Sequence, residues 1–491
     1  MLGDHRVLLI DPTWRNRKLH GPSLGLAYVA AAARGIGAEV SVCDFVAEGS
    51  EHATSLSEFQ VYVEEFLADV KKLSCSSGII GITCNYATFS RALAVAARCK
   101  KGNPDAMVLL GGPHVSSLNH LSLSRQEELI PSDIAVDLYV VGEGEQTLRE
   151  ICHKRQRRGD LTNIRGTIVN QDGRLIRNKE RPMNRCLDRI GFPDWSVFDL
   201  SNYPGVLPLA ASRGCPYRCA FCDERLIWQN TYRYRKPATV VEELRHNVVH
   251  HGVSHFRFAD SQLTCYPGLE AMCALIRQHQ LDIKWSCYAR ANEINKRVLY
   301  KMRDAGCTSI LIGVESGTQE ILNTMNKRIL LRDTEQAVMS AKEIGIAVEA
   351  SLIIGFPGET EEQARESIEW AKSLQADSYD WHSFFPGLEM MARPDNWQLI
   401  LEELPNWNVD LDIPSHLYEE LFKTYPEATL LERHASARIR DATVNKDIGY
   451  SHKSLSLATI YGLVREAIAE THRAGLSTEE SLEYRILNDI K

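Results

Sequence analysis

The stretch RGCPYRCAFCDERL, residues 213–226, sets Cys215, Cys219 and Cys222 in a C-x3-C-x2-C spacing, with no fourth cysteine close by in the chain. A structural zinc site takes four protein ligands in a closed tetrahedron, whereas three ligands leave a position open, as catalytic sites do. Soft thiolates select iron–sulfur clusters or zinc. A [4Fe–4S] cube usually takes four cysteines, so a cube on three would keep one iron free for a ligand that is not protein. The alternative is a zinc ion completed from afar by His246, His250 or His255, although zinc signatures normally pair two short-spaced ligand couples.

The cysteines follow directly on LPLAAS (207–212). This is the first of six strand-like runs, continued by HFRFAD (255–260), IKWSCY (283–288), SILIGV (309–314), VEASLIIG (348–355) and DSYDWHSF (377–384). Helix-like segments separate them. Six βα units in succession predict a partial or full barrel whose catalytic groups sit at the carboxyl ends of the strands. The cysteine stretch occupies the first such position.

Upstream, RVLLID (6–11), EVSVCD (39–44), GIIGIT (79–84), MVLLGG (107–112) and DLYVVG (137–142) alternate with helical patterns such as SLGLAYVAAAARG (23–35). Strands this rich in Val, Leu and Ile are buried on both faces, which predicts a doubly wound, Rossmann-like α/β sheet with its ligand crevice at the carboxyl ends. RGTIVNQDGRLIRN (165–178) reads as a hairpin turning at Asp172-Gly173. The proline-bearing stretch 181–205 reads as a linker. The chain therefore divides into an α/β domain (1–160), a hairpin and linker (161–206), a (β/α)6 barrel (207–390) and a helical region (391–491).

The bulk composition agrees. A chain of 491 residues exceeds one ordinary core, and 44% hydrophobic with 24% charged residues is a globular mixture. A net charge of −8 excludes a globally basic nucleic-acid binder. No apolar run has the length of a membrane span, and MLGDHRVLLIDPTW has no signal-peptide pattern, which points to a cytoplasmic protein. Thirteen cysteines in a reducing compartment are thiols rather than disulfides. Cys43, Cys75, Cys84, Cys99, Cys273 and Cys307 read as small buried hydrophobes. None follows Cys307, so a second cluster on C-terminal cysteines is ruled out.

The cysteine spacing, with Phe221 before the last thiol, resembles the signature of the radical S-adenosylmethionine superfamily. RFADSQLT, GVESGTQEILNTMNK and LIIGFPGETEE support the likeness in the right order, over residues 205–390. The resemblance implies that Cys215, Cys219 and Cys222 hold a [4Fe–4S] cluster and that S-adenosylmethionine chelates its open iron. Reductive cleavage would then yield a 5′-deoxyadenosyl radical. It also implies that Phe221 and Ile354 flank the adenine, that Glu315 bonds the ribose or amino group, and that Arg290 pairs with the methionine carboxylate. Asp260, where relatives often carry an acidic residue, is a further cofactor-binding candidate, although Ser261 here replaces the acidic residue that usually follows it. The plainer readings are a helix N-cap for Glu315, a surface ion pair for Arg290 and a core residue for Ile354.

The first domain, through GPSLGLAYVAAAARGIGAEVSVCD, LLGGPHVS and VVGEGEQTL, resembles the cobalamin-binding domain found ahead of many such barrels. Gly111, Gly112 and Gly142 are the expected points of close approach to the cofactor. In the D-x-H-x-x-G pattern of many cobalamin domains, Asp44 and Gly49 match but Val46 replaces the cobalt-ligating histidine. His114 is either a cobalt or substrate contact or a loop residue that is solvated or bonded to nearby backbone.

The resemblance implies a radical enzyme that methylates an unactivated carbon of a small molecule through methylcobalamin, in natural-product or antibiotic biosynthesis. An external donor such as flavodoxin or ferredoxin would supply the electron. The alternatives are radical dehydration, deoxygenation or rearrangement of a sugar or related metabolite, and a non-enzymatic cobalamin or iron–sulfur sensor. Asp380 and His382, ending the sixth strand, are the expected catalytic residues on the substrate side.

Overall fold

The computed structural model describes residues 6–384, apart from 14–20, 47–55, 86–87, 121–134, 158, 172 and 357, together with residues 455 and 457–473. The chain divides into two compact units, with the change between Pro204 and Gly205.

The first unit is built on one sheet of β1 (Arg6–Asp11), β2 (Glu39–Asp44), β3 (Ile79–Thr83), β4 (Met107–Gly111), β5 (Leu138–Val140), β6 (Thr167–Gln171) and β7 (Arg174–Arg177). Their spatial order is β2-β1-β3-β4-β5-β6-β7, and the first five are parallel. The chain leaves β1 to one side for β2 and returns to the other for β3. That reversal opens a crevice outside the carboxyl ends of β1 and β3, the place where doubly wound sheets bind ligands. Leu8, Ile10, Ile80 and Val108 are wholly buried, as strands covered on both faces require. The predicted hairpin is β6–β7, and it pairs antiparallel onto β5. It therefore closes the edge of the first sheet instead of standing apart with the linker.

The second unit carries β8 (Val206–Leu209), β9 (Ser212–Arg213), β10 (Arg233–Tyr234), β11 (His255–Phe258), β12 (Lys284–Ala289), β13 (Cys307–Glu315), β14 (Ala347–Ile354) and β15 (Ser378–Ser383). Six of these form a parallel sheet in the order β8-β11-β12-β13-β14-β15, each strand added beside the last, while β9 and β10 make a separate two-stranded ribbon. This is the expected run of βα units. Side chains alternate along each strand. On β14, Val348, Ala350, Leu352 and Ile354 are buried, while Ala347, Glu349, Ser351 and Ile353 on the other face are half-buried. The second face is polar: Arg257, Ser286, Tyr288, Ser309, Leu311 and Glu349 line a small cavity.

Of the predicted helical region, the described part is the helix Leu457–Arg473. It packs on β14, β15 and the helix Glu361–Leu374. Ile460, Leu463 and Ala467 are buried, and Arg365 and Lys372 pair with Glu466 and Glu470. No described helix is long and apolar enough to cross a membrane. Five of the six cysteines read as buried hydrophobes are buried; Cys75 is exposed because it lies just past the end of the helix Leu56–Ser74.

Candidate functional site

The cysteine stretch leaves the sheet at the carboxyl end of β8, as the barrel geometry requires. Two devices hold it there. Asp260, just past β11, is fully buried and accepts hydrogen bonds from the Ala211 N–H (3.0 Å) and the Ser212 hydroxyl. Burial pushes its carboxyl up to about 6, against the lowering effect of those hydrogen bonds. Asp260 is thus turned onto the backbone that launches the cysteines, in place of the expected cofactor contact. Gly214 is the second device. Its φ is +88°, and a Cβ there would lie 2.0 Å from the Thr231 carbonyl oxygen, so only glycine lets the β9–β10 ribbon close beside Cys215.

The loop is also tied to the segment after β13. The Ala220 N–H donates to the Met325 carbonyl (2.8 Å), and the Asn326 amide donates to the Arg218 carbonyl (2.7 Å). Phe221 and Ala220 pack against Ile321, Met325, Phe356 and Phe384, an apolar patch suited to the flat face of a purine. Ile353 reaches this patch as well. Ile354, the predicted adenine contact, is fully buried on the opposite face of β14. One residue on a strand is the difference between two faces.

Arg290, just past β12, is buried. Its guanidinium lies 3.6 Å from the Tyr217 ring centroid, with Nη1 3.9 Å from the Cys219 sulfur, Nε donating to Asn292 at 2.9 Å and Nη2 donating to the Lys327 carbonyl. The guanidinium is committed to the chain at all three nitrogens, so it braces the cysteine loop where a carboxylate clamp was expected. Glu315 sits at the last position of β13 with φ +72°, beside a bulge, and its Oε1 lies 2.5 Å from the Lys327 ammonium. The N-cap reading of Glu315 fails, because its carboxylate partner is a side chain.

Two of the three thiols, Cys215 and Cys222, are shielded enough to resist ionisation. Burial raises Cys215 and Cys222, and the nearby Glu224 carboxylate raises both further. Iron binding would displace these protons, since coordination deprotonates a thiol. A fourth thiol, Cys265, is raised to about 12 by burial, then by the charges of Glu293 and Cys215. Fifty residues separate it from Cys215, so no local spacing could have flagged it. Ser261, which replaces the usual acidic residue, donates to Glu224 and so ties a carboxylate to this corner by another route.

No three of the described His, Cys, Asp or Glu residues converge to chelate a single ion. A cube places each thiolate on a different iron, so its cysteines need no common point. The donor set, three thiols on one braced loop beside an apolar patch and an acidic arm, fits a cluster and its nucleoside ligand. The zinc alternative lacks its fourth ligand among the described residues. His255 opens β11, level with the start of β8, whereas the cysteines follow the end of β8. His246 and His250 face each other on the helix Pro237–His251, with ring centroids 4.3 Å apart.

In the first unit, Gly111 ends β4 and Gly112 follows it. A Cβ on Gly112 (φ +103°) would lie 2.5 Å from the Cys84 carbonyl oxygen, so this glycine lets the ends of β3 and β4 close on each other. Gly142, with φ +74°, faces open space and leaves room for a ligand to approach the backbone. Val46 follows β2 as expected, and its side chain offers no metal ligand. His114 is buried against Phe89, with ring centroids 4.6 Å apart, which removes the solvated reading. Asp380 and His382 end β15 on alternate residues, and their carboxylate and imidazole meet at 2.8 Å. Burial works against the imidazolium. The Asp380 hydrogen bond and the charges of Asp380, Glu315 and Glu349 outweigh it and raise the His382 pKa.

Comparison with known proteins agrees with this geometry. Residues 12–152 match the B12 binding domain, and residues 209–371 match the Radical SAM superfamily. An uncharacterised methyltransferase of Pyrococcus horikoshii is 29% identical over 91% of this chain and 94% of its own length. An anaerobic magnesium-protoporphyrin IX monomethyl ester cyclase of Rubrivivax gelatinosus is 27% identical over 63% of this chain and 56% of its own. Among solved structures, the radical S-adenosylmethionine methyltransferase TsrM of Kitasatospora setae superposes with a TM-score of 0.62 at 20% identity, covering 77% of this chain and 75% of that one. With the cysteine loop at the carboxyl end of a parallel βα sheet, these matches show that the chain carries a B12 binding domain followed by a Radical SAM domain, which imply cobalamin, a [4Fe–4S] cluster and S-adenosylmethionine as cofactors.

Proposed function

We propose that the protein is a methyltransferase that uses radical chemistry to methylate an unactivated carbon of a small molecule. The observation that carries this reading is the presence in one chain of a B12-binding sheet and a cluster-binding βα sheet, aligned along 91% of its length with a relative named as a methyltransferase. When bound, the cluster and S-adenosylmethionine supply the hydrogen-abstracting radical, and cobalamin supplies the methyl carrier.

The chain's own residues hold and orient these groups. Cys215, Cys219 and Cys222 ligate the cluster, Arg290 braces their loop, and the Phe221 patch receives the adenine. Glu315 offers a carboxylate to the amino or ribose group of the ligand. On the face of β15 that continues the Ile353 face of β14, the Asp380–His382 pair holds or moves a proton on the substrate, with Asp380 fixing the imidazole through its 2.8 Å hydrogen bond. Gly142 admits the corrin ligand to the backbone of the first unit. The substrate is a metabolite of natural-product assembly, the enzyme works in the cytoplasm, and a flavodoxin or ferredoxin supplies its electron.

The likeness to the cyclase favours a second reading, radical oxidation or rearrangement without methyl transfer. One sample separates the two. Protein purified anaerobically with cobalamin supplied is expected to hold about four irons and one cobalt per chain. Incubated with methyl-deuterated S-adenosylmethionine and a metabolite extract, it is expected to give a product carrying the label. Four irons and 5′-deoxyadenosine with no labelled product would move the assignment to the second reading. Cys219→Ala is expected to abolish the cluster's absorbance and 5′-deoxyadenosine formation; turnover at the wild-type rate would refute the cluster assignment.

A further inference from the structure

Lys327 closes the stretch GVESGTQEILNTMNK, where the sequence patterns assigned it no role. We infer that Lys327 is a positioning residue for S-adenosylmethionine, acting through Glu315: its ammonium holds the Glu315 carboxylate aimed, with one oxygen engaged and the other left for the ligand. The inference rests on Glu315 serving the nucleoside ligand, as proposed above.

Both side chains are buried, Lys327 at 3% exposure and Glu315 at 9%, and Nζ lies 2.5 Å from Oε1. Oε2 of Glu315 makes no hydrogen bond among the described residues. A buried carboxylate without a partner would take up a proton or turn away, because desolvation penalises its charge. Glu315 also has a left-handed backbone conformation that favours glycine, so its direction is set by its partners more than by its strand.

Gly313 bears on the same pair. A Cβ at that position would lie 2.6 Å from Glu315 Oε1 and 3.0 Å from Lys327 Nζ, so the glycine leaves the space that the ion pair fills. Lys327 is joined to the rest of the site as well. Its ammonium lies 5.6 Å from the Phe221 ring centroid, and its carbonyl accepts from Arg290. One residue therefore meets the acidic arm, the adenine patch and the brace of the cysteine loop.

The test uses the cluster-loaded protein and S-adenosylmethionine itself, with dissociation constants and the electron paramagnetic resonance (EPR) spectrum of the reduced cluster as readouts. Wild-type protein must first hold its iron and respond to the ligand; failure there would count against the radical S-adenosylmethionine reading and not against Lys327. Lys327→Met is expected to keep its iron, bind at least tenfold more weakly and lose most of the ligand-induced spectral change. Lys327→Arg should recover part of both. Gly313→Ala, which crowds the pair without removing a charge, should weaken binding in the same way.

Because Lys327 acts through Glu315, adding Lys327→Met to Glu315→Gln should weaken binding no further. That double variant removes both charges of the buried pair, so it also serves where the single variant folds poorly. Wild-type affinity in Lys327→Met at full iron content would overturn the inference, as would a double variant whose losses multiply.

Discussion

Glu359 shows how much of this molecule is decided at single side chains. It is fully buried behind β14, with Oε2 2.5 Å from the Gly355 N–H and Oε1 without a partner among the described residues. Burial raises its carboxyl from 4.5 to about 7, even though the Gly355 and Phe356 N–H groups favour the charged form. The folded state therefore keeps a proton that the unfolded chain releases between those values. The contribution of Glu359 to stability is full below about pH 4.5 and declines as the pH rises through 7. The span corresponds to roughly 3 kcal/mol at most. Glu359→Gln is expected to flatten this decline, so its melting temperature should fall less than the wild type's between pH 5.5 and 8. Parallel curves would mean that Glu359 does not titrate there. None of this was legible in GFPGET, because a motif does not report burial. The same limit applies to Ile354, whose face was decided by the register of β14 with β13 and β15.

Elements explain why the cysteine loop has one conformation. A strand end, a two-stranded ribbon and the segment after β13 each contribute a tie, and Asp260 fastens the first. Asp260→Ala would leave the buried Ala211 N–H without its acceptor and the Ser212 hydroxyl without its partner, a cost of about 2–4 kcal/mol. The expected result is a lower denaturation midpoint and a clear loss of reconstituted iron, with Asp260→Asn less affected. Undiminished iron in the alanine variant would show that the ribbon alone holds the loop. Element order was readable in advance, because parallel strands covered on both faces leave continuous apolar runs of β length separated by amphipathic helices. Ties between elements were not. Arg290 was expected to reach a ligand, and the fold gives its three nitrogens to Cys219, Asn292 and Lys327.

On the scale of the whole molecule, two sheets of related design carry different cofactors. In the first unit, the missing histidine predicts a spectroscopic outcome. Val46 stands in the cobalt-ligating position and offers no imidazole to the metal. Protein grown on ¹⁵N-histidine and loaded with cob(II)alamin is expected to give the same EPR hyperfine pattern as unlabelled protein. A change in the nitrogen splitting on labelling would place a histidine of the chain on cobalt.

The sequence by itself determined the cofactor class and the order of the elements. Both are local: three thiols within eight residues, and apolar runs whose period and length record burial on the strand. The tertiary structure decided which side chains serve the site. Lys327 meets Glu315 twelve residues away, Cys265 comes to Cys215 across fifty, and Ile353 rather than Ile354 joins Phe221. These meetings depend on strand register and on a backbone bulge at Gly313–Glu315. Such features arise only when strands pair, since hydrogen bonding between chain-distant segments sets which face each residue presents.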